Sequence, residues 1–304
     1  MNTTFWGPSG WVFLHTLTFI YPETPSYNDK VKMQNFMSNI SYILPCKYCR
    51  LSFTKYSNSL PITDYLDNRK TLVEWLYKMH NKVNKKLRGQ GFCKYDNPEL
   101  STIYTKYKPI LEHIYSLCNN NNNTNTNTNT NPAHDIITYI CNLGRDFLGS
   151  IVFNYQGYFS NCHTGDEKIK IVSVYHTFFT SIIPLIYSYI SKINKKCKYV
   201  SEHISRYISI YENKNKLNIR YILTQNEAYT KLIKWFYNCK LLCSFDDKFK
   251  SFNEYVNYYS KHIVLSCSNT IDKNNIIKSC RKSTRKSTRK SSRKSTRKTL
   301  KTPK

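Results

Sequence analysis

Glycine and acid are both scarce in this chain. Only 8 of its 304 residues are Gly, and none fall as G-x-G-x-x-G, so no glycine-rich turn is available to hold a dinucleotide. Asp and Glu number 19 against 46 Lys and Arg, a net charge of +27, which favours an acidic partner such as nucleic acid, anionic lipid or an acidic protein. No run alternates apolar and polar residues as a half-exposed strand would, which argues against a sheet. No second C-x-x-C and no H-x₃₋₅-H accompanies the one C-x-x-C, so no metal site is expected. No apolar leader opens the chain, because Trp6, Gly7, Pro8, Trp11 and His15 interrupt it; a cytoplasmic, non-secreted protein is expected.

What the chain does have is the C-x-x-C itself, Cys46 and Cys49 in "YILPCKYCR". Such a pair serves as half a zinc site, a structural staple or a redox couple. In a chain without a leader the redox couple is the better starting point. Eleven cysteines cannot all pair within one chain, so at least one is free, intermolecular or reactive.

Residues 1–117 read as helical throughout. Trp11 and His15 stand at i and i+4 on one face. Val31, Phe36, Ile40, Ile43 and Leu44 form one apolar stripe, and Leu72, Leu76, Met79, Val83 and Leu87 another. The expected fold is therefore all-α, a small four-helix-bundle type. Residues 118–132, rich in Asn and Thr, read as a low-complexity linker. Residues 133–278 resume helical patterning as a second domain. Residues 279–304 repeat Arg, Lys, Ser and Thr, with twelve basic residues from Arg281 onward and no acid. This tail cannot make a core and is expected to be disordered, with capacity for non-specific nucleic-acid binding. Residues 171–190 are apolar, but His176, Pro184 and several hydroxyl side chains favour a buried helix over a membrane span.

Four features in order, "WGPSGWVFLH", "PCKYC", "EW" and "HNKVNKKL", together resemble the FAD-dependent Erv/ALR sulfhydryl oxidases, small helical-bundle flavoproteins. The matching residues are Gly7, Trp11, Leu14 and His15, then Cys46 and Cys49, then His80, Asn81, Val83, Asn84 and Leu87. Taken singly, Trp11 would be core, His15 a satisfied interior histidine and the asparagines caps. The assembled set is what points to a flavin. A flavin in such a bundle would be held by aromatic stacking and side-chain hydrogen bonds. Trp11 and His15 offer stacking surfaces, His80 and Asn84 reach one ligand together, and Lys86 could meet the diphosphate as a point charge. Tyr107, with Tyr104, is a candidate for a late aromatic contact.

The resemblance implies that Cys49 sits against the isoalloxazine and passes two electrons through a transient flavin adduct, while Cys46 exchanges with an incoming protein dithiol. Reduced flavin would pass its electrons to dioxygen, giving hydrogen peroxide. It leads us to expect a homodimer. The A/T-rich codon character and basic tail suggest a large DNA virus, with the protein in host cytoplasm or virion. Two departures stand out. Pro8 replaces the Arg often found there. Cys93 fits the first member of a second cysteine pair, but its usual partner position is Ile110, and Cys118 is the nearest substitute.

In the second half, "YHTFFTS" at 175–181, "CKYV" at 197–200 and "LIKWFYNCKLLC" at 232–243 echo residues 14–20, 46–49 and 72–83. A decayed duplicate and chance similarity in a Lys/Tyr/Ile-rich chain both account for this. Cys239 and Cys243 read as two buried cysteines, while Cys267 and Cys280 flank the tail and could carry electrons on a flexible arm. The rival to an oxidase is a nucleic-acid-binding or scaffold protein with a vestigial oxidase domain.

Overall fold

The computed structural model describes residues 3–92, 95–119, 132–155, 165–193, 222–223, 228–238 and 248–262. Their regular structure is helical: α1 Thr3–Phe19, α2 Tyr27–Ile43, α3 Lys47–Ser59, a single 3₁₀ turn Ile62–Tyr65, α4 Arg69–Gly89, α5 Leu100–Asn119, α6 Pro132–Leu143, α7 Arg145–Phe153, α8 Gly165–Ile193, α9 Ala228–Asn238 and α10 Phe252–Ser260. No strand occurs among the described residues.

Local chemistry sets the helix ends. Ser26 caps α2 and forms a reciprocal box with Asp29, and Asn68 does the same for α4 with Thr71. Lys86 and Arg88 in the last turn of α4 face its negative dipole end. The expected stripe on α2 is buried at Phe36, Ile40 and Ile43, continued by Leu44 and joined by Met33 and Met37, with Val31 half-buried. On α4, Leu72, Leu76 and Met79 are buried, but Val83 and Leu87 are only half-buried. That helix leaves the core midway, which frees its second half for other contacts.

Helix α1 packs against α4, α5, α6 and α7, and α2 packs against α3 and α8. The buried side chains form one main cluster that runs from Trp6 to Tyr259, so the core continues across the expected linker. Helix α5 itself extends to Asn119, through the first two linker residues, and α6 begins at Pro132. Two glycines set the closeness of the α1–α7 approach. A Cβ on Gly144 would stand 2.7 Å from the Phe13 ring, and one on Gly10 would stand 3.0 Å from the Phe147 ring. The Phe147 amide also donates to Ser9 Oγ at 3.1 Å. Residues 120–131 and 279–304, Cys93, and the echo segments 197–200 and 239–243 lie outside the described residues, as do Cys267 and Cys280. The echoes at 175–181 and 232–238 fall on α8 and α9.

Helix α8 is long and apolar enough over Ile169–Ile193 to cross a membrane by length and composition; 44% of its most apolar window is buried against the rest of the protein. Polar side chains near its C-terminal end have partners in the first half. Asp29, 1% exposed, accepts from Lys192 Nζ and, at 3.2 Å, from Ser188 Oγ, while Tyr189 OH donates to the Asp29 carbonyl at 3.1 Å. Burial alone would raise the Asp29 pKa, but hydrogen bonds from Lys192 and Ser26 outweigh it and hold the group below its ordinary value. A folded-state pKa below the unfolded one stabilises above pH ~4, and the contribution fades as pH falls through the folded value. Asp29→Asn should therefore cost about 2 kcal/mol at pH 7 and much less at pH 3. Urea denaturation of both proteins at the two pH values checks this; an equal cost at both would remove the charge from the account.

Candidate functional site

Helices α2 and α3 are separated by Leu44, Pro45 and Cys46. Proline cannot donate to the preceding turn, and Cys46 takes an extended conformation (φ −145°, ψ 121°) as the N-cap of α3. A capping side chain accepts from the first turn's free amides, and here the acceptor is sulfur: Cys49 N–H donates to Cys46 Sγ at 3.3 Å. Arg50 Nη1 donates to the Leu44 carbonyl at 2.7 Å and ties the break together. Both cysteines are half-buried and reduced.

The two thiols differ because one proton serves both. A hydrogen bond from the Cys49 thiol, aided by the backbone amides of Cys49 and Tyr48, pulls Cys46 down to about 6 against the cost of burial. Cys49 is pushed up by holding that proton toward Cys46 and by burial, while Lys86 acts in the opposite sense. Cys46 is therefore the thiolate of the pair near neutral pH, the activation expected at a helix N-terminus.

A second constellation joins α1, α4 and α5. The rings of Trp11 and His80 stack at 3.8 Å between centroids and 11° between planes. His15 Nε2 lies 3.3 Å from His80 Nδ1. Tyr107 packs 5.1 Å from His15 and stacks on Phe19 at 5.2 Å. Burial, then the neighbouring His80 and Lys106, lowers His15 to about 3; burial, then Lys106, lowers His80 to about 4. Both rings are neutral at physiological pH. His15 Nδ1 is buried without a hydrogen-bond partner, which in a native interior calls for an explanation.

The structure thus brings together Trp11, His15, His80 and Tyr107 of the residues singled out in the sequence. Asn81, Val83, Asn84 and Leu87 follow on α4, all half-buried. Lys86 reaches toward α3, where its Nζ donates to Ser52 Oγ at 2.7 Å, and so connects the second half of α4 with the cysteine helix. Gly7 lies on α1 with open space where a Cβ would stand, so packing does not demand glycine there. Cys118 is disulfide-bonded. Ser52, Phe19 and Lys106 escaped the sequence reading, because their roles arise from packing between helices and no local motif marks them.

The pattern of the Erv1 / Alr family matches residues 8–105, which contain the C-x-x-C and most of the α1 and α4 positions just described. An FAD-linked sulfhydryl oxidase of African swine fever virus (isolate Tick/Malawi/Lil 20-1/1983) is 33% identical over 82 residues, 27% of this chain and 67% of that protein. This chain belongs to the Erv1 / Alr family. A probable FAD-linked sulfhydryl oxidase of Acanthamoeba polyphaga mimivirus is 38% identical over 85 residues, 28% of this chain and 59% of that protein. A mitochondrial FAD-linked sulfhydryl oxidase of Saccharomyces cerevisiae is 37% identical over 86 residues, 28% of this chain and 44% of that protein. The match therefore spans about half the length of these last two Erv1 / Alr relatives. No solved structure matches the chain.

The proton shared by Cys46 and Cys49 gives a direct expectation. In the reduced protein, iodoacetamide should alkylate Cys46 with a midpoint near pH 6, with Cys49 reacting only at higher pH. Peptide mass spectrometry after timed alkylation reads both sites; a Cys46 midpoint near the ordinary 8.5 would contradict the capped thiolate.

Proposed function

We propose that this chain is an FAD-linked thiol oxidase that makes disulfide bonds in protein substrates, with dioxygen as acceptor and hydrogen peroxide as product. The observation that carries the reading is the C-x-x-C at the start of α3, where the Cys46 sulfur accepts the Cys49 amide as the helix cap and its pKa is lowered by that setting. A staple has no need of that polarisation, whereas thiol–disulfide exchange depends on it.

The residues of the second constellation fit a flavin. His15 Nδ1 is a buried polar atom awaiting a partner, and the parallel Trp11 and His80 rings present flat, half-buried aromatic surface for stacking. Both histidines are neutral and can donate or accept. Trp11, His15, His80, Asn84 and Tyr107 would hold FAD, with Lys86 as the cation for its phosphates. When bound, FAD supplies two-electron acceptance from a dithiol and onward transfer to dioxygen.

The chain's own work is then exchange and proton handling. In the oxidised pair, Cys46 takes the incoming substrate sulfur. Its depressed pKa makes it the better leaving group when the substrate disulfide is released. Cys49 must give up its proton before it can pass electrons on. The Lys86 ammonium favours the Cys49 thiolate that results. The proposal places this chemistry in the cytoplasm, or in a virion assembled there, where a disulfide source of its own would be useful.

Cys49→Ser should abolish oxygen consumption with dithiothreitol, to below about 1% of wild type by analogy with loss of an essential nucleophile, while flavin absorbance is retained. An oxygen electrode and a visible spectrum decide it, and full activity in this variant would sink the mechanism. His80→Ala combined with Asn84→Ala should give colourless protein of unchanged helicity. Normal flavin occupancy there would move the cofactor away from α4.

A further inference from the structure

The surface around the C-x-x-C is unusual in composition. Four of the eight large apolar side chains left exposed among the described residues are Tyr42 at 49%, Tyr48 at 73%, Leu51 at 60% and Ile169 at 60%. Tyr42 lies in the last turn of α2, four residues before Cys46. Tyr48 sits between the two cysteines, and Leu51 is two residues past Cys49. Ile169 belongs to the second half of the chain, at the start of α8. Lys170, its neighbour, places Nζ 4.4 Å from the centroid of the Tyr42 ring. Farther along α8, burial pushes the Tyr175 hydroxyl up and the charge of Arg50 on α3 opposes it, while α2 packs against both α3 and α8.

Charge on this face has one dominant sign. Helix α3 carries Lys47, Arg50 and Lys55 and no acid, and Lys170 adds a further exposed cation stacked on an aromatic ring. Asp166 and Glu167 open α8 one turn before Lys170. A monomer rarely leaves large apolar side chains concentrated at one place without use. Aromatic anchors rimmed by charge are the pattern of a recognition surface.

We propose that α2, α3 and α8 jointly form the docking face for the protein dithiol. This face takes a segment with an aromatic or branched apolar residue beside the attacking cysteine and acidic residues beyond it. Ile169 and Lys170 thereby make the second half of the chain a determinant of which substrates are oxidised. The inference rests on the thiol oxidase reading above and adds the substrate class. In the step it serves, the substrate thiolate attacks Cys46 Sγ, the Cys46–Cys49 bond breaks, and Cys49 leaves with the electron pair. The second substrate thiolate then attacks the substrate sulfur of the mixed disulfide. The substrate disulfide forms, Cys46 leaves as thiolate, and two electrons rest on the reduced pair for FAD to collect. Docking on Tyr42, Tyr48 and Ile169 holds the substrate sulfur in line with Cys46, a gain in orientation that a small dithiol cannot receive.

The test uses the full flavin-loaded chain and two reduced Cys-Gly-Ser-Cys peptides, one flanked by Phe and Asp and one by Gly and Lys. Wild type should favour the Phe/Asp peptide by about tenfold or more in kcat/KM, the range one well-buried apolar contact gives. Ile169→Ser combined with Lys170→Glu should erase that preference through KM, with kcat and the rate on dithiothreitol unchanged. Since both residues are exposed, the dithiothreitol rate also reports that the variant is folded. Equal kcat/KM for the two peptides in wild type, or an undiminished preference in the variant, overturns this proposal alone. Failure of wild type to oxidise dithiothreitol at all overturns the oxidase reading, and this proposal with it.

Discussion

Enclosure of α1 is the constraint on which the rest depends. Every residue from Phe13 to Phe19 is buried, so the helix has no solvent face over two turns and must be covered from all sides. Helices α4 and α5 cover the side that bears Trp11 and His15; α6 and α7 cover the side that bears Phe13 and Gly10. The aromatic constellation and the second half of the chain are therefore anchored to opposite faces of one rigid rod. A shift of α7 at Gly144 would press on Phe13, two residues from His15. Close-packed interiors transmit such displacements, because they have no slack to absorb them.

The cysteine pair is governed by a different device. Its chemistry comes from backbone geometry at a helix break, with Pro45 ending one run and Cys46 beginning the next. The sulfur occupies a position where Ser or Asp would normally accept amide hydrogen bonds. A thiolate gains more from those donors than a thiol does, so the cap that starts α3 also separates the two cysteines in acidity. One short segment thus sets both the start of the helix and the difference in acidity between the two cysteines.

These two devices explain which features could be read from the sequence. Spacing on one helix is local, so the i, i+4 relation of Trp11 and His15, and of His80 and Asn84, was legible, as was the helical class. Contacts between helices were not. Trp11 stacks on His80, 69 residues away, and Lys86 turns toward Ser52 on α3; periodicity holds no trace of either pairing. The α4 stripe was extended too far, because Val83 and Leu87 keep the apolar spacing after the helix has left the core. The low-complexity run suggested a division of the chain, yet side chains on either side share one buried cluster. Composition reports where a segment cannot pack, and it says nothing about whether the elements flanking it pack on each other. Asp29 reads as an ordinary first-turn acid on α2, and only the arrival of α8 turns it into a buried charge with Lys192 above it.

The electrostatics of the two constellations follow from the same enclosure. Burial keeps His15 and His80 uncharged, so neither contributes a positive charge. The cations acting on the site are Lys106 at the histidines and Lys86 at Cys49. A lysine ammonium at the rim keeps its hydration and pairs flexibly, whereas a buried imidazolium would face a large desolvation cost. Neutral rings in the interior with lysines at the edge place flat aromatic surface beside positive charge. Lys86, which the proposed reading assigns to the cofactor's phosphates, bonds Ser52 on α3 and also favours the thiolate of Cys49.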